Sequence, residues 1–110
     1  MMKMAMSPAA SAVLRALISR SGVERNRFLL IGVQSTDWQS LTFTGERHRL
    51  IVRISGENAG TAADRLCSGI ENAELSGSGV IIADISVEAR HDDREGGVEV
   101  TFEALTVDKD

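Results

Sequence analysis

The chain has 110 residues, 43% hydrophobic and 25% charged, with a formal net charge of -4 at pH 7 and one cysteine. That length supports one domain burying about two-thirds of its unfolded surface, and the composition excludes disordered and fibrous classes. The negative charge argues against gripping nucleic acid by phosphate neutralisation, one cysteine allows no internal disulfide, and no apolar run reaches transmembrane length.

Residues 1–6, Met-Met-Lys-Met-Ala-Met, are expected to form a flexible tail ahead of a domain over 7–110. Arg15 and Arg20 interrupt the segment that follows, so it lacks the apolar core of a signal peptide. The product is read as soluble and made in the cytoplasm. Ser7-Pro8 is a helix start, with serine as N-cap and proline at the first helical position. Ala10, Val13, Leu14, Leu17 and Ile18 then recur at helical spacing, which predicts a helix over 8–20, stopped by Ser21-Gly22. A first strand is expected over 28–36, reaching toward Trp38. It opens on a near-continuous apolar run from Phe28, which predicts a central strand with both faces covered for part of its length. The segment Ser40 to Glu46 carries Thr44-Gly45-Glu46 and reads as a turn.

A second strand over 47–55 alternates cleanly. Leu50, Val52 and Ile54 share one face, and Arg47, Arg49, Ile51 and Arg53 the other. A second helix is expected over 59–74, with Ala59, Ala62, Ala63, Leu66, Ile70 and Ala73 as a narrow apolar stripe, ended by Gly77-Ser78-Gly79. A third strand over 80–90 places Ile81, Ala83, Ile85, Val87 and Ala89 on one face. After a charged loop over 91–97, a fourth over 98–107 buries Val98, Val100, Phe102 and Ala104 and exposes Glu99, Thr101 and Glu103. The order is α-β-β-α-β-β. It predicts an α+β fold: a four-stranded, mainly antiparallel sheet with two helices packed on one face and a polar opposite face.

No pattern nominates a catalytic, metal or cofactor site. Asp92, Asp93 and Glu95 lack the spacing of a calcium loop and read as a solvated hairpin tip. His48 and His91 have no Cys or His partner at zinc spacing. Cys67 borders the second helix's apolar stripe and has no positioned base. The glycines from Gly56 to Gly60 lack the Gly-Lys-Ser/Thr ending of a phosphate loop. Trp38, the sole tryptophan, is either a lid on the core edge or an interface anchor.

The charge pattern is more telling. Arg47, Arg49 and Arg53 line one strand face; Glu99 and Glu103 line another. They either pair across strands within one chain or meet between subunits in a head-to-tail contact of the kind that closes rings. Apart from Lys3 and Lys109, every base is arginine, which reflects either a GC-rich genome or interface use of the guanidinium fork.

Five segments carry a family resemblance: Phe28 to Ile31; Ser35 to Ser40 with Thr36-Asp37-Trp38; Glu46 to Ile54; Gly60 to Leu66; and His91 to Phe102. In order and spacing they resemble the small phage tail-completion proteins (tail terminators, or head–tail joining proteins), including those of prophages and gene transfer agents. The connection Ser21 to Arg27 is shorter than that family's. The resemblance implies a non-enzymatic structural protein without cofactor. It implies a ring of copies, typically a hexamer, that caps the tail tube and joins it to the head connector. The expected partners are other copies, the tail-tube protein and the connector protein. DNA would pass through the ring without specific binding, and no membrane is involved. The place is the bacterial cytoplasm during assembly, then the neck of the particle. The candidate subunit interface is Arg47, Arg49, Arg53, Glu99 and Glu103, with Asp37 and Trp38. Two rivals stand beside it: a small dimeric ferredoxin-like α+β enzyme, for which His48 would have to belong to a polar constellation in the apolar face, and a ligand-binding regulatory module.

Overall fold

The computed structural model describes residues 6–75 and 79–109. The first helix, α1, spans Pro8–Ser21; the Ser7 hydroxyl accepts from the Ala10 amide, and Gly22 closes the helix at φ 71°. A single 3-10 turn, Arg25–Arg27, leads into β1, Phe28–Gln39, and then β2, Thr44–Ile54. The second helix, α2, covers Ala59–Cys67 and gives way at Gly69 to a 3-10 turn over Ile70–Asn72. Strands β3, Val80–Asp92, and β4, Val98–Asp108, complete the chain. The expected ends of the second helix's connection at Gly77 and Ser78, and the tail over residues 1–5, lie outside the described residues.

The sheet runs β1-β2-β4-β3, with every neighbouring pair antiparallel. The central pair, β2 and β4, is in unbroken register from Gly45 opposite Val107 to Ile54 opposite Val98. Its helix-side row is the core: Leu50, Val52, Ile54, Val98, Val100 and Phe102 are buried. Val13 and Leu17 of α1 and Ala59, Ala62, Ala63 and Leu66 of α2 pack on that row, so both helices lie on one face. Small residues let α1 settle close: Ala9, Ala12 and Ala16 are buried, while the larger Leu14 and Ile18 are only partly so. Two arginines tie the helix ends together. Arg20 of α1 donates to the Leu66 and Ser68 carbonyls at 2.9 and 2.6 Å, and Arg65 of α2 donates to the Ser21 carbonyl at 3.0 Å. Each cation neutralises the negative end of the other helix.

Five sequence expectations need correction. The second helix, expected over 59–74, ends at Cys67, because Gly69 turns the chain at φ 68° and only a 3-10 turn follows. β1 is an edge strand, not a central one; its apolar run is split by a bulge between Leu30 and Gly32, and Leu29 and Ile31 are exposed. In β3, bulges between Ile82 and Asp84 and between Val87 and Ala89 break strict alternation. The core face therefore takes Ile82, Ile85 and Val87, and Ile81, Ala83 and Ala89 are exposed. In β4, Thr101 is buried rather than exposed, beneath neighbours on the open face. Thr44, Gly45 and Glu46 are strand, and the turn is Ser40–Phe43, closed by the Ser40 amide donating to the Phe43 carbonyl at 2.8 Å.

Leu66 sits at the centre of the α2 stripe with no exposed surface. Leu66→Ala is expected to destabilise the protein by about 2–5 kcal/mol through the cavity it leaves. Glu71→Ala, at an exposed position, should be near neutral. Urea midpoints of the two variants, read against the wild type, check this; equal midpoints would refute the packing.

Candidate functional site

The face of the sheet away from the helices carries the charges. Because β2 and β4 are in register, Arg49 stands opposite Glu103 and Arg53 opposite Glu99 within one chain, while Arg47 faces Leu105. The ion pairs formed run to other partners. Arg49 reaches Glu88 at 3.4 Å, a residue extruded by the second β3 bulge, and Arg53 pairs with Asp93 of the β3–β4 turn. Arg47 and Arg49 are exposed and Arg53, Glu99 and Glu103 are half-buried. The structure thus brings four of the sequence-nominated charges onto adjacent strands of one face. Arg47 lies one row further along, toward the β1–β2 turn.

Trp38 lies at that end of the same face, opposite Gly45, and its indole donates to the Thr106 carbonyl at 3.3 Å. A Cβ at Gly45 would overlap the Thr106 carbonyl oxygen and come within 3.0 Å of the Trp38 indole nitrogen, so only glycine fits. Asp37 faces the other way. It stands directly opposite Glu46, two carboxylates side by side on an exposed strand end, an arrangement that is destabilising on its own. Ser35, Asp37 and Gln39, all on the helix side by register, are exposed, so the helices leave this corner of the sheet bare. The turn beyond it carries Leu41, 107% exposed, and Phe43, 54% exposed. Sequence reasoning did not single out these two, although two large apolar residues in a four-residue turn are the available signal.

His48 is fully buried in the core row. Its Nδ1 lies 2.8 Å from the Ser35 hydroxyl on β1 and its Nε2 2.9 Å from the Thr106 hydroxyl on β4. Thr106 donates its own proton to the Glu46 carbonyl at 3.3 Å. That assigns the tautomer: Nε2–H donates to Thr106, and Nδ1 accepts from Ser35. Burial lowers the His48 pKa below its usual value, against an opposing pull from Glu46. A neutral ring with both nitrogens occupied and no exposed surface braces three strands. The polar constellation that the enzyme alternative required is therefore present, but its base has no open approach.

The carboxylates after β3 are tied to arginines. Asp93 accepts from the Glu95 and Gly97 amides at 2.9 Å each, and the Arg53 guanidinium holds its carboxyl below the usual range. Arg90 pairs with Asp92 at 2.8 Å and with Asp64 of α2 at 2.7 Å, and lowers the Asp92 pKa likewise. Among the described residues no group of three or more His, Cys, Asp or Glu side chains is placed to hold a metal ion. Cys67 is half-buried, and burial pushes its thiol pKa up, away from the reactive thiolate. Among the described residues no helix is long and apolar enough to cross a membrane.

No protein-family model matches the chain, and no curated protein is significantly similar to it. Its fold is shared with a chain of the virion of a native gene transfer agent particle. The two superpose with a TM-score of 0.58 at 12% identity, covering 90% of this chain and 97% of the other. Coverage near the full length of both chains means that the helix–hairpin–helix–hairpin plan is shared as a whole.

The His48 brace sets a pH dependence. The unfolded state takes up a proton near pH 6.5, and the folded state only at a lower pH. Stability is therefore complete above pH 6.5 and falls as pH drops through the window below it, at most about 1.4 kcal/mol per pH unit. Asp92 and Asp93 act in a separate window, below pH 3.8. Urea midpoints at pH 8 and pH 5 check this: the wild type should lose stability and His48→Gln should lose less. Equal losses would show that His48 does not carry the effect.

Proposed function

We propose that the protein is a structural component of a phage-like particle: a tail terminator or head–tail joining protein that forms a ring, typically of six copies, at the end of the tail tube. The observation that carries this reading is the near-full-length likeness to a gene transfer agent virion chain. The order and spacing of the tail-completion segments in the sequence support it independently. In this reading the neighbours are other copies of the chain, the tail-tube protein and the head connector. The catalytic alternative has less support, because His48 is sealed and Cys67 lacks a positioned base.

The charged sheet face is the surface we assign to contacts between copies, through Arg47, Arg49, Arg53, Glu99 and Glu103, with Trp38 at its end; Asp37, nominated with them from the sequence, stands beside Trp38 on the opposite face. A net charge of -4 suits a lumen through which DNA slides without sticking. Rim charges steer association and set register more than they bind.

The in-chain register of Arg49 and Glu103 dictates the form of the test. A double variant in one chain could restore an internal pair as readily as an external one. Copies carrying Arg49→Glu should therefore be co-expressed with copies carrying Glu103→Arg, in the cells that produce the particle. Each variant alone is expected to reduce the yield of tailed, infectious or transducing particles, and the mixture to recover part of it. Full yield from the Arg49→Glu variant alone would remove this residue from the contact. Tailed particles at normal yield without the protein would remove the function.

A further inference from the structure

We propose that the bare corner at the β1–β2 turn of one copy seats in the cleft beside α1 of a second copy. The inference rests on the ring reading above and names a second contact for the same assembly. Three observations carry it. The turn presents Leu41 and Phe43 to solvent at 107% and 54% exposure, the kind of paired apolar protrusion that marks an interaction site. Behind it stand Asp37 and Glu46, directly opposite one another, with no ion pair among the described residues. The complement lies on the helical layer: an open cleft of about 410 Å³ whose accessible apolar side chain is the half-buried Leu75, with the buried Ala12 and Ala16 adjoining it.

Arg15 stands in that cleft. It is exposed and forms no ion pair among the described residues, whereas the neighbouring Arg20 is committed to the Leu66 and Ser68 carbonyls. The free cation of one surface thus matches the unpaired acidic couple of the other. Turn and cleft are different patches, so the contact is heterologous: each copy offers its turn to one neighbour and its cleft to the other.

The test is site-specific cross-linking in a Cys67→Ala background. Copies with Thr42→Cys are mixed with copies with Ser19→Cys, Thr42 being an exposed residue of the turn that leaves Leu41 and Phe43 intact and Ser19 an exposed residue of the cleft. A short bis-maleimide is added to concentrated protein and to particle-producing cells. The expected result is a band at twice the chain mass in the mixture, well above either variant alone, and a ladder ending at the ring when one chain carries both cysteines. A swap of Asp37→Arg with Arg15→Asp copies should retain the band that either substitution alone reduces. Cross-linking no greater in the mixture than in either variant alone overturns the contact. If Arg49→Glu still reduces the yield of tailed particles in that case, the ring reading stands without it. A double-cysteine chain that stops at a dimer supports the contact and counts against the ring.

Discussion

The unbroken register of β2 with β4 is the constraint on which the rest of this structure depends. Ten consecutive positions pair without a bulge, from Gly45 opposite Val107 to Ile54 opposite Val98. Strict alternation then follows. Every second residue of both strands falls on the helix side and builds the core, and every intervening one falls on the open side, where the charges gather. Both edge strands depart from that regularity, β1 once and β3 twice. The second β3 bulge has a definite use. It rotates Arg90 onto the helix side, where it reaches Asp64 of α2, and extrudes Glu88 toward Arg49. Bulges also blunt an edge against stray pairing, so β3 is the better guarded of the two edges.

How much was legible in the sequence follows from the same division. Strands β2 and β4 could be read residue by residue because nothing interrupts their period. β3 could be located but not faced, since a single extra residue moves every later side chain to the other side. The apolar start of β1 looked like a central strand, and no local signal tells that Leu29 and Ile31 face outward at an edge. In α1 the helix ends were written in Ser7-Pro8 and Ser21-Gly22. Its buried face was legible in Ala10, Val13 and Leu17, but not the order of burial, because close approach buries Ala12 and Ala16 more fully than the bulkier Leu14 and Ile18, which pack at the margin of the core.

Of the candidate site, the charged rows were legible as patterns of alternation. Their actual partners were not, since Glu88 and Asp93 come into reach only through a bulge and a tight turn. The partners of His48 illustrate the same limit. Ser35 is 13 residues away and Thr106 58, and only the folded register brings both hydroxyls to one ring. The excess of arginine gains a partly internal explanation. Arg20, Arg27 and Arg65 spend their guanidinium groups on backbone carbonyls, at helix ends and at the exit of β2. A planar fork with several donors suits that task better than a lysine ammonium.

The in-chain placement of the charges bears on how copies would associate in the proposed ring. An exposed ion pair contributes about 0–1 kcal/mol, and Arg49 and Arg53 already have partners in their own chain. Exchanging one carboxylate for another across a subunit boundary therefore changes little in free energy. It does penalise a wrong register, because like charges would then face each other. The driving force has to come from apolar surface, and the two side chains at the β1–β2 turn are the largest such reserve at that corner. Burying each of Leu41 and Phe43 is worth about 1.5–3 kcal/mol, before the entropy of association is set against it. A contact of that size is weak between two free copies. It becomes effective when a surface already holds the copies side by side, so that each docking event is intramolecular. In the proposed ring, such a chain would stay dispersed until a surface such as the end of a tail tube gathered it, and the charged face would then set how neighbours align.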